Sequence, residues 1–275
     1  YRQVNDLVEQ KQDAISARFP KLNRFMTGYN LAHIKTDNGF DLSRLICGSE
    51  GTLAVVSELT LKLTPIPLAK QLLVLGYDSF DGALRDATQL VLQNPDAIET
   101  IDDTILTMAQ DDVIWHQVKD YIAFPDAEPI AAINLVEFGG MDAGLLAQKI
   151  DAVCAQLTQL GMRYSRVSDP KGMASLWELR KKGVGLLGNL PGKRRPIAFV
   201  EDTAVPPENL ADYIVEFRQL LDGMGVSYGM FGHVDAGCLH VRPALNMRDP
   251  EDALKLKLIS DAVQALVQKY EGVMW

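Results

Sequence analysis

Two histidines seven residues apart, His233 and His240, are the strongest candidates for chemistry in this sequence. The small residues Ala236 and Gly237 lie between them, and Arg242 follows two residues later. Glycine and β-branched neighbours argue against a helix, and a straight strand would separate the two rings by roughly 23 Å. A hairpin that turns at Ala236-Gly237 instead pairs His233 with His240 across two strands, with Cβ atoms about 5 Å apart. Two imidazoles at that distance can share one metal ion, and Arg242 on the same face adds an anion-binding group.

The same spacing has a second interpretation. Paired histidines in a turn also serve as hydrogen-bonded structural groups, and zinc usually takes at least three protein ligands. Neither His33 nor His116 stands in a motif that marks it as a third ligand. The residues alone therefore leave both a metal site and a structural hairpin open.

Composition bounds the class of protein. The chain has 275 residues, 47% hydrophobic and 23% charged, which is ordinary for a globular protein. A net charge of -9 argues against nucleic acid as a partner, because duplex binding needs a basic face. No apolar run reaches the length of a membrane span, and the scattered Cys47, Cys154 and Cys238 suit a reducing compartment. We expect a cytoplasmic protein, and the missing N-terminal Met predicts a piece of a longer chain.

Strands and helices alternate along most of the sequence. Residues 2–18 have helical spacing, and residues 52–63 alternate like a strand until Pro65 and Pro67. Beyond them, the patterns predict strands at 71–77, 98–101, 130–138, 163–167 and 197–205, the hairpin at 225–242, and helices at 79–93, 103–110, 143–160, 173–187, 208–221 and 251–270. This order favours an α+β fold, an antiparallel sheet with helices on one face.

Four other segments could carry chemistry. The glycines of GSEGTL at 48–53 would let backbone N–H groups approach a phosphate or a flavin edge, although an ordinary turn into a strand is the alternative. Arg180 projects from a helix flank, and Lys193 and Arg194 belong to a basic loop at 191–196; each could bind an anion or simply be solvated. Glu201 and Asp202 could cap a turn or support the site from outside.

Four motifs, taken in order, resemble the FAD-linked D-2-hydroxyacid dehydrogenases, which include D-lactate, D-2-hydroxyglutarate and glycolate dehydrogenases. They are TGYNL at 27–31, GSEGTL at 48–53, EDTAVP at 201–206 and MFGHVDAGCLHVRP at 230–243. The last is most similar to the large bacterial D-2-hydroxyglutarate dehydrogenases with a C-terminal iron–sulfur module. The resemblance covers essentially the whole chain.

The resemblance implies a domain organisation and a set of site residues. Residues 1–66 would end an α+β FAD-binding domain, and residues 67–275 would form the substrate-binding (cap) domain, truncated at its C-terminus. Flavin contacts map to Ser49, Glu50, Gly51 and Thr52. The two histidines of the metal site map to His233 and His240. The arginine that binds the substrate carboxylate maps to Arg180, with Arg242, Lys193 and Arg194 as further substrate-binding groups.

The resemblance also implies that parts of the active site lie outside this sequence. The FAD pyrophosphate loop would precede Tyr1, and a Glu-His pair with the third metal ligand and the catalytic base would follow Trp275. No catalytic residue is therefore expected within the chain, which alone would be inactive. The iron–sulfur cluster would belong to a missing C-terminal module.

The expected function is oxidation of a D-2-hydroxy acid, such as D-2-hydroxyglutarate, by hydride transfer to FAD, assisted by zinc or manganese. A metal-dependent hydrolase built on His233 and His240 is one alternative. A non-catalytic α+β ligand-binding domain, in which the histidines brace the hairpin, is the other. The sequence leaves open the metal, the electron acceptor and whether the protein is a homo-oligomer.

Overall fold

The structure is a computed structural model that describes residues 1–22, 28–37, 39–124, 130–189 and 192–274. By its internal contacts the chain divides into two units, residues 1–65 and residues 66–274. Each unit is described by itself below.

The first unit is small, and its described residues form three short helices and one two-stranded ladder. Its elements are α1 (Arg2–Gln10), α2 (Gln12–Arg18), β1 (Lys35–Thr36), β2 (Gly39–Phe40) and α3 (Ser43–Ile46). The helical spacing predicted for residues 2–18 is confirmed, with a break at Lys11 between α1 and α2. Four buried side chains make the core of this unit: Val8, Ile15, Ile34 and Leu45.

The strand predicted at residues 52–63 does not form. This segment is exposed and has no strand pairing in the described part of the chain, and the Val55 side chain is 94% exposed. Alternating apolar side chains fit a pleated, half-buried surface, but a strand is stabilised only when a neighbour pairs with its backbone. The alternating pattern therefore indicated a propensity for strand formation, but no neighbouring strand among the described residues pairs with this segment.

The second unit is built on a sheet whose order is β11-β8-β10-β9-β4-β5-β3-β6, with β7 added against β10. Every neighbouring pair in it is antiparallel. The strands are β3 (Ala69–Tyr77), β4 (Ala97–Asp102), β5 (Ala132–Gly140), β6 (Arg163–Val167), β7 (Arg195–Pro196), β8 (Thr203–Ala204), β9 (Tyr228–His233), β10 (Cys238–Leu245) and β11 (Val273–Met274). The predicted α+β class with an antiparallel sheet is confirmed.

Helices cover both faces of this sheet. They are α4 (Phe80–Val91), α5 (Asp103–Ala109), α6 (Trp115–Ile122), α7 (Ala143–Gln159), α8 (Pro170–Gly188), α9 (Leu210–Gly223) and α10 (Pro250–Lys269). Leu73 and Leu75 face a core with α4, α7, α9 and α10, which we call the first face. Leu72 and Val74 face a separate core with α5, α6 and α8, the second face. The expectation of helices on one face is corrected. Successive residues of β3 point to opposite faces of the sheet, and since the residues on both faces are apolar, both faces are covered by helices.

The strand predicted at residues 197–205 is also corrected. This region pairs with β10 only at its two ends, where Pro196 lies opposite Ala244 and Thr203 lies opposite Leu239. Between these pairs, residues 197–202 lie opposite residues 240–243, so six residues span the length of four. The excess makes the segment bulge away from β10, as extra residues do in a β-bulge. We call residues 197–202 the bulge segment.

Asp102 ties the end of β4 to two other elements, helix α5 and strand β9. Its carboxylate caps α5 by accepting the N–H of Ile105 (3.0 Å) and also accepts the N–H of Met230 in β9 (2.8 Å). The side chain is fully buried, with Arg218 at 3.4 Å. Burial raises the pKa of Asp102 to about 7, although the bond from Ile105 and the charge of Arg218 oppose that shift.

We expect this group to make stability depend on pH. The pKa of Asp102 in the folded state lies above its ordinary value. As the pH rises from about 4 to about 7, the Asp102 carboxyl of the unfolded chain therefore loses its proton while that of the folded chain still holds it. The free energy of unfolding of the wild type, relative to Asp102→Asn, should therefore fall over that window by up to about 4 kcal/mol and then level off. Urea unfolding at several pH values measures it. A difference that rises with pH would contradict the expectation.

Candidate active site

The hairpin that carries both histidines forms, but with a longer turn than predicted. Residues 234–236 make one 3-10 turn, and Gly237 follows with a φ of 67°. A Cβ at Gly237 would lie 1.8 Å from the carbonyl oxygen of Val205, so this position accepts only glycine. The four-residue connection shifts the strand register from the predicted one.

The register shift is two residues, which preserves the side-chain face. His240 lies opposite Phe231 in β9, and His233 lies opposite Glu99 in β4. The predicted direct pair of histidines is therefore wrong. Because strand side chains alternate with a period of two, His233 and His240 remain diagonal neighbours on the second face. Their ring centroids are 5.5 Å apart, and the rings meet edge to face.

Glu99 connects His233 to Arg180 from the neighbouring strand β4. Its Oε1 bonds Nδ1 of His233, and its Oε2 accepts a hydrogen bond of 2.7 Å from Nε of Arg180. The Glu99 side chain is only 6% exposed. The guanidinium of Arg180 also stacks on the ring of Phe231, with 4.6 Å between its carbon and the ring centroid. Helix α8 thus brings Arg180 to the histidines through one buried carboxylate.

Glu201 connects the other histidine to the other arginine. Its Oε1 accepts a hydrogen bond of 2.6 Å from Nη2 of Arg242 and lies 3.7 Å from Nδ1 of His240. Asp202 Oδ1 lies 3.4 Å from the same nitrogen. Both carboxylates belong to the bulge segment, whose backbone leaves the ladder while these two side chains reach back to residues of β10. Where the sequence predicted a regular strand, the bulge places two carboxylates next to His240 and Arg242.

The electrostatics favour a neutral His240 between two arginines and their carboxylates. Burial, with help from the positive charge of Arg180, lowers the pKa of His240 below its ordinary value. Burial would raise the pKa of Glu99, but the bond from His233 and the charge of Arg180 hold that pKa below its ordinary range. An ionised Glu99 and a neutral His240 suit a site that accepts a cation, since a metal binds neutral imidazole.

The histidines fit two ligands of a metal ion. The Nδ1 atom of His233 is occupied by Glu99, which leaves Nε2 to bind a metal, as in carboxylate–histidine–metal arrangements. The Nδ1 atom of His240 is buried without a hydrogen-bond partner and points at the carboxylates of the bulge segment. In the described ranges, no group of three His, Cys, Asp or Glu side chains has the geometry to hold a metal ion.

The basic loop lies away from this cluster. Arg195 pairs with Leu245, five residues beyond His240 along β10, which is roughly 16 Å at the rise of a strand. Lys193 is exposed next to it. Arg194 binds both carboxylate oxygens of Asp252 at 2.8 Å and the carbonyl of Gly225 at 2.9 Å. The structure therefore brings neither Lys193 nor Arg194 to the histidines. Pro191, in the same loop, lies outside the described residues.

We expect Arg194→Ala to reduce stability without reducing activity. Its loss leaves the buried Asp252 carboxylate with the N–H of Asn246, at 2.9 Å, and with Lys255, at 3.6 Å, as its remaining cation among the described residues. Because Arg194 is itself partly exposed, the cost should be about 1–3 kcal/mol in the free energy of unfolding. Chemical unfolding and kcat/KM are measured on the same preparation. A large loss of kcat/KM with unchanged stability would instead place Arg194 at the substrate.

The GSEGTL segment forms a compact turn in the first unit. Gly48, Glu50 and Gly51 all have positive φ, and Ser49 is buried while its three successors are exposed. The Thr52 hydroxyl donates to the Ser49 carbonyl (2.6 Å), so the Tyr29 hydroxyl donates to Thr52 Oγ1 (2.9 Å). Two motifs far apart in sequence thus meet. Thr27, at the start of the TGYNL motif, lies outside the described residues.

The turn also fits a ligand that approaches the backbone. A Cβ placed at Gly51 would have no described atom within 4 Å, so the backbone is open on that side. The N–H groups of Ser49 and Thr52 bond the carbonyls of Ile46 and Ser49 inside the turn, and turns of this kind can present their remaining N–H groups to an anion. These features fit one edge of a flavin site formed by Ser49, Glu50, Gly51 and Thr52.

Sequence reasoning missed Glu99 and Phe231, which both support Arg180. Glu99 is the only charged residue in the strand sequence AIETI, and a charged residue inside a buried strand needs a partner. That signal was available. The identity of the partner was not, because Arg180 lies 81 residues further along the chain.

Comparison with known proteins gives consistent results. Residues 66–275 match the family of FAD linked oxidases, C-terminal domain. The chain is 49% identical to the D-2-hydroxyglutarate dehydrogenase of Pantoea ananatis (strain AJ13355) and 46% identical to that of Escherichia coli (strain K12). Both alignments cover 100% of this chain and 28% of the relative, so the chain spans little more than a quarter of their length.

Solved structures with a similar fold are more distant in sequence. An alkyldihydroxyacetonephosphate synthase has a TM-score of 0.60 at 17% identity, over 86% of this chain and 46% of that one. At that identity the likeness shows the fold alone. No helix in the described parts of the chain is long and apolar enough to cross a membrane.

Proposed function

The chain belongs to the FAD-linked oxidases through their C-terminal domain, and on that premise we propose that it is part of a flavin-dependent dehydrogenase of D-2-hydroxy acids. One observation carries the proposal. Two histidines in ring contact are flanked by two arginines: Glu99 bonds both His233 and Arg180, and Glu201 bonds Arg242 and lies 3.7 Å from Nδ1 of His240. The nearly half-identical relatives named D-2-hydroxyglutarate dehydrogenase support D-2-hydroxyglutarate as the substrate.

The arginines suit a substrate with two carboxylates. Arg180 bonds Glu99 through Nε, and Arg242 bonds Glu201 through Nη2. A guanidinium has five N–H donors, so each arginine keeps donors for a further carboxylate. Local positive charge is required here, because the chain as a whole carries a net charge of -9. Arg180 is therefore proposed to bind one carboxylate of the substrate and Arg242 to help bind the other.

The cofactors are proposed from the same residues. His233 and His240 would hold a divalent metal, and residues 49–52 would contact FAD within a domain that includes residues 1–66. When bound, the metal supplies a Lewis acid at the substrate hydroxyl, and the flavin supplies the electron acceptor. The residues of this chain bind and orient the hydroxy acid, exclude water with the apolar second-face core, and keep His240 neutral. We propose that the electrons pass on to an acceptor beyond residues 1–275, an iron–sulfur cluster in the intact protein.

The visible absorption spectrum of the whole protein tests this function. We expect the spectrum to show flavin absorption bands. In the absence of oxygen, these bands should lose intensity when D-2-hydroxyglutarate is added, because the substrate reduces the flavin. L-2-hydroxyglutarate should not bleach them, and D-lactate, with one carboxylate, should bleach them more slowly. A colourless preparation that cannot be reconstituted with FAD, or bleaching by both enantiomers, would contradict the proposal. A metal-dependent hydrolase would turn over its substrate in the absence of flavin.

A further inference from the structure

We propose that Glu99 is a positioning residue: its one buried carboxylate sets the tautomer of His233 and the direction of Arg180. The inference rests on the proposed function for its consequence in turnover. The contacts of Glu99 with His233 and Arg180, and their effect on the His233 tautomer, involve only residues of this chain. No family motif in the sequence includes Glu99, and its neighbours in β4 are Ile98 and Thr100.

The two oxygens of Glu99 have separate tasks. Oε1 bonds Nδ1 of His233, and Oε2 accepts from Nε of Arg180. A carboxylate can only accept, so the His233 nitrogen that faces it carries the proton. The lone pair of the neutral ring is then on Nε2, the atom left to face a metal. The same carboxylate accepts from Nε of Arg180, so the N–H groups of the two Nη atoms remain for a further acceptor.

The surroundings hold Glu99 itself in place. It pairs with His233 in the β4–β9 ladder, one residue from the pair of Thr100 with Gly232. The side chain is 6% exposed, and Arg180 is pinned from its other side by the ring of Phe231. A buried carboxylate with two charge-assisted partners has one orientation, because any rotation would leave a buried charge unpaired. The strand backbone thus fixes both partners through one side chain.

Glu99→Gln separates the two tasks. The amide oxygen can replace Oε2 and still accept from Arg180, while the amide NH₂ replaces Oε1. Facing a donor, His233 must switch to the tautomer with the proton on Nε2, which removes the lone pair from the metal side. We expect metal affinity to fall about 10- to 100-fold, with a loss of kcat and little change in KM. Glu99→Ala should also raise KM, because Arg180 is released.

Glu137→Gln is the matched control. Glu137 lies on the adjacent strand β5, is 13% exposed, and bonds both Lys70 (2.7 Å) and Trp177 (2.9 Å). Trp177 is on α8, three residues before Arg180. Glu137 therefore joins the same helix to the same sheet without touching either histidine. If Glu99 only fastened α8 to the sheet, the two glutamine variants would lose metal affinity equally.

The decisive readout needs neither metal nor substrate. The chain has four histidines, so selective ¹⁵N labelling gives four ring systems, and the His233 signals can be assigned with His233→Gln. We expect the Nδ1–H tautomer in the metal-free wild type and the Nε2–H tautomer in Glu99→Gln. Zinc titration and, in the whole protein, kcat and KM follow on the same variants and on Glu137→Gln.

Each result counts for or against the proposal. An Nε2–H tautomer of His233 in the wild type, unaltered zinc affinity of Glu99→Gln, or equal losses in Glu137→Gln would each overturn it. The wild-type spectrum gives this answer even if a variant fails to fold. A wild type with the Nδ1–H tautomer that neither binds zinc nor oxidises D-2-hydroxyglutarate would contradict the proposed function while leaving Glu99 its positioning role.

Discussion

His240→Ala is expected to lower kcat/KM for D-2-hydroxyglutarate in the whole protein by about a hundredfold to a thousandfold. A bound metal supplies several kcal/mol of stabilisation to developing charge, and each 1.4 kcal/mol corresponds to a factor of ten. In the proposed site the two histidines, with ring centroids 5.5 Å apart, would provide two of the metal ligands. Loss of either ring should therefore release the metal, which isothermal titration with zinc or manganese measures alongside turnover.

His116→Ala is the matched control for this prediction. His116 is an exposed residue of α6 in the same unit, outside the histidine pair. Its replacement removes one imidazole of similar chemistry and should leave both metal affinity and turnover unaltered. Full turnover in His240→Ala, or equal losses in the two variants, would show that the pair has a structural role only.

Arg180→Ala is expected to cost about 2–5 kcal/mol in kcat/KM, because it removes a cation that pairs with a substrate carboxylate in a partly buried position. The Arg180 side chain is 15% exposed and already oriented by Glu99 and Phe231. Arg180→Lys should recover only part of the loss, since an ammonium lacks the planar fork that a carboxylate matches. Steady-state kinetics with D-2-hydroxyglutarate, and with D-lactate for comparison, measure the effect.

Two observations would separate substrate binding from a loss of folding. The Arg180→Ala variant leaves Glu99 without its arginine, so its free energy of unfolding must be measured as well. Guanidinium ion added to the variant should restore part of kcat/KM if the missing side chain is the cation that binds the substrate carboxylate. Near wild-type kinetics in Arg180→Ala would return this residue to a role in packing α8.

The elements with strong periodicity were predictable from the sequence. Residues 71–77 and 79–93 were expected as a strand and a helix capped by Ser79, and they correspond to β3 and α4, with Ser79 accepting from the N–H of Gly82. Local signals suffice there, because the apolar spacing and the cap both lie within the element. Residues 52–63 show the opposite case, since strand pairing depends on a partner that a local pattern does not contain.

The histidine site was predictable in part for a related reason. The proximity of His233 and His240 follows from the hairpin, and it survives an error of two residues in register because alternation has a period of two. The carboxylates around them follow from pairings that are distant in sequence, Glu99 with His233 and Arg180 above all. The sequence predicted that Arg194 binds the substrate, but in the structure its guanidinium binds the Asp252 carboxylate instead.

The connection between β9 and β10 is subject to a parity rule. One residue inserted into or removed from residues 234–237 would turn every side chain of β10 to the opposite face. His240 and Arg242 would then enter the apolar core occupied by Leu239 and Val241, and those two would take their places in the polar cluster. Length changes of two residues keep the faces. Natural or engineered forms of this hairpin are therefore expected to differ in the length of the connection by even numbers of residues more often than by odd numbers.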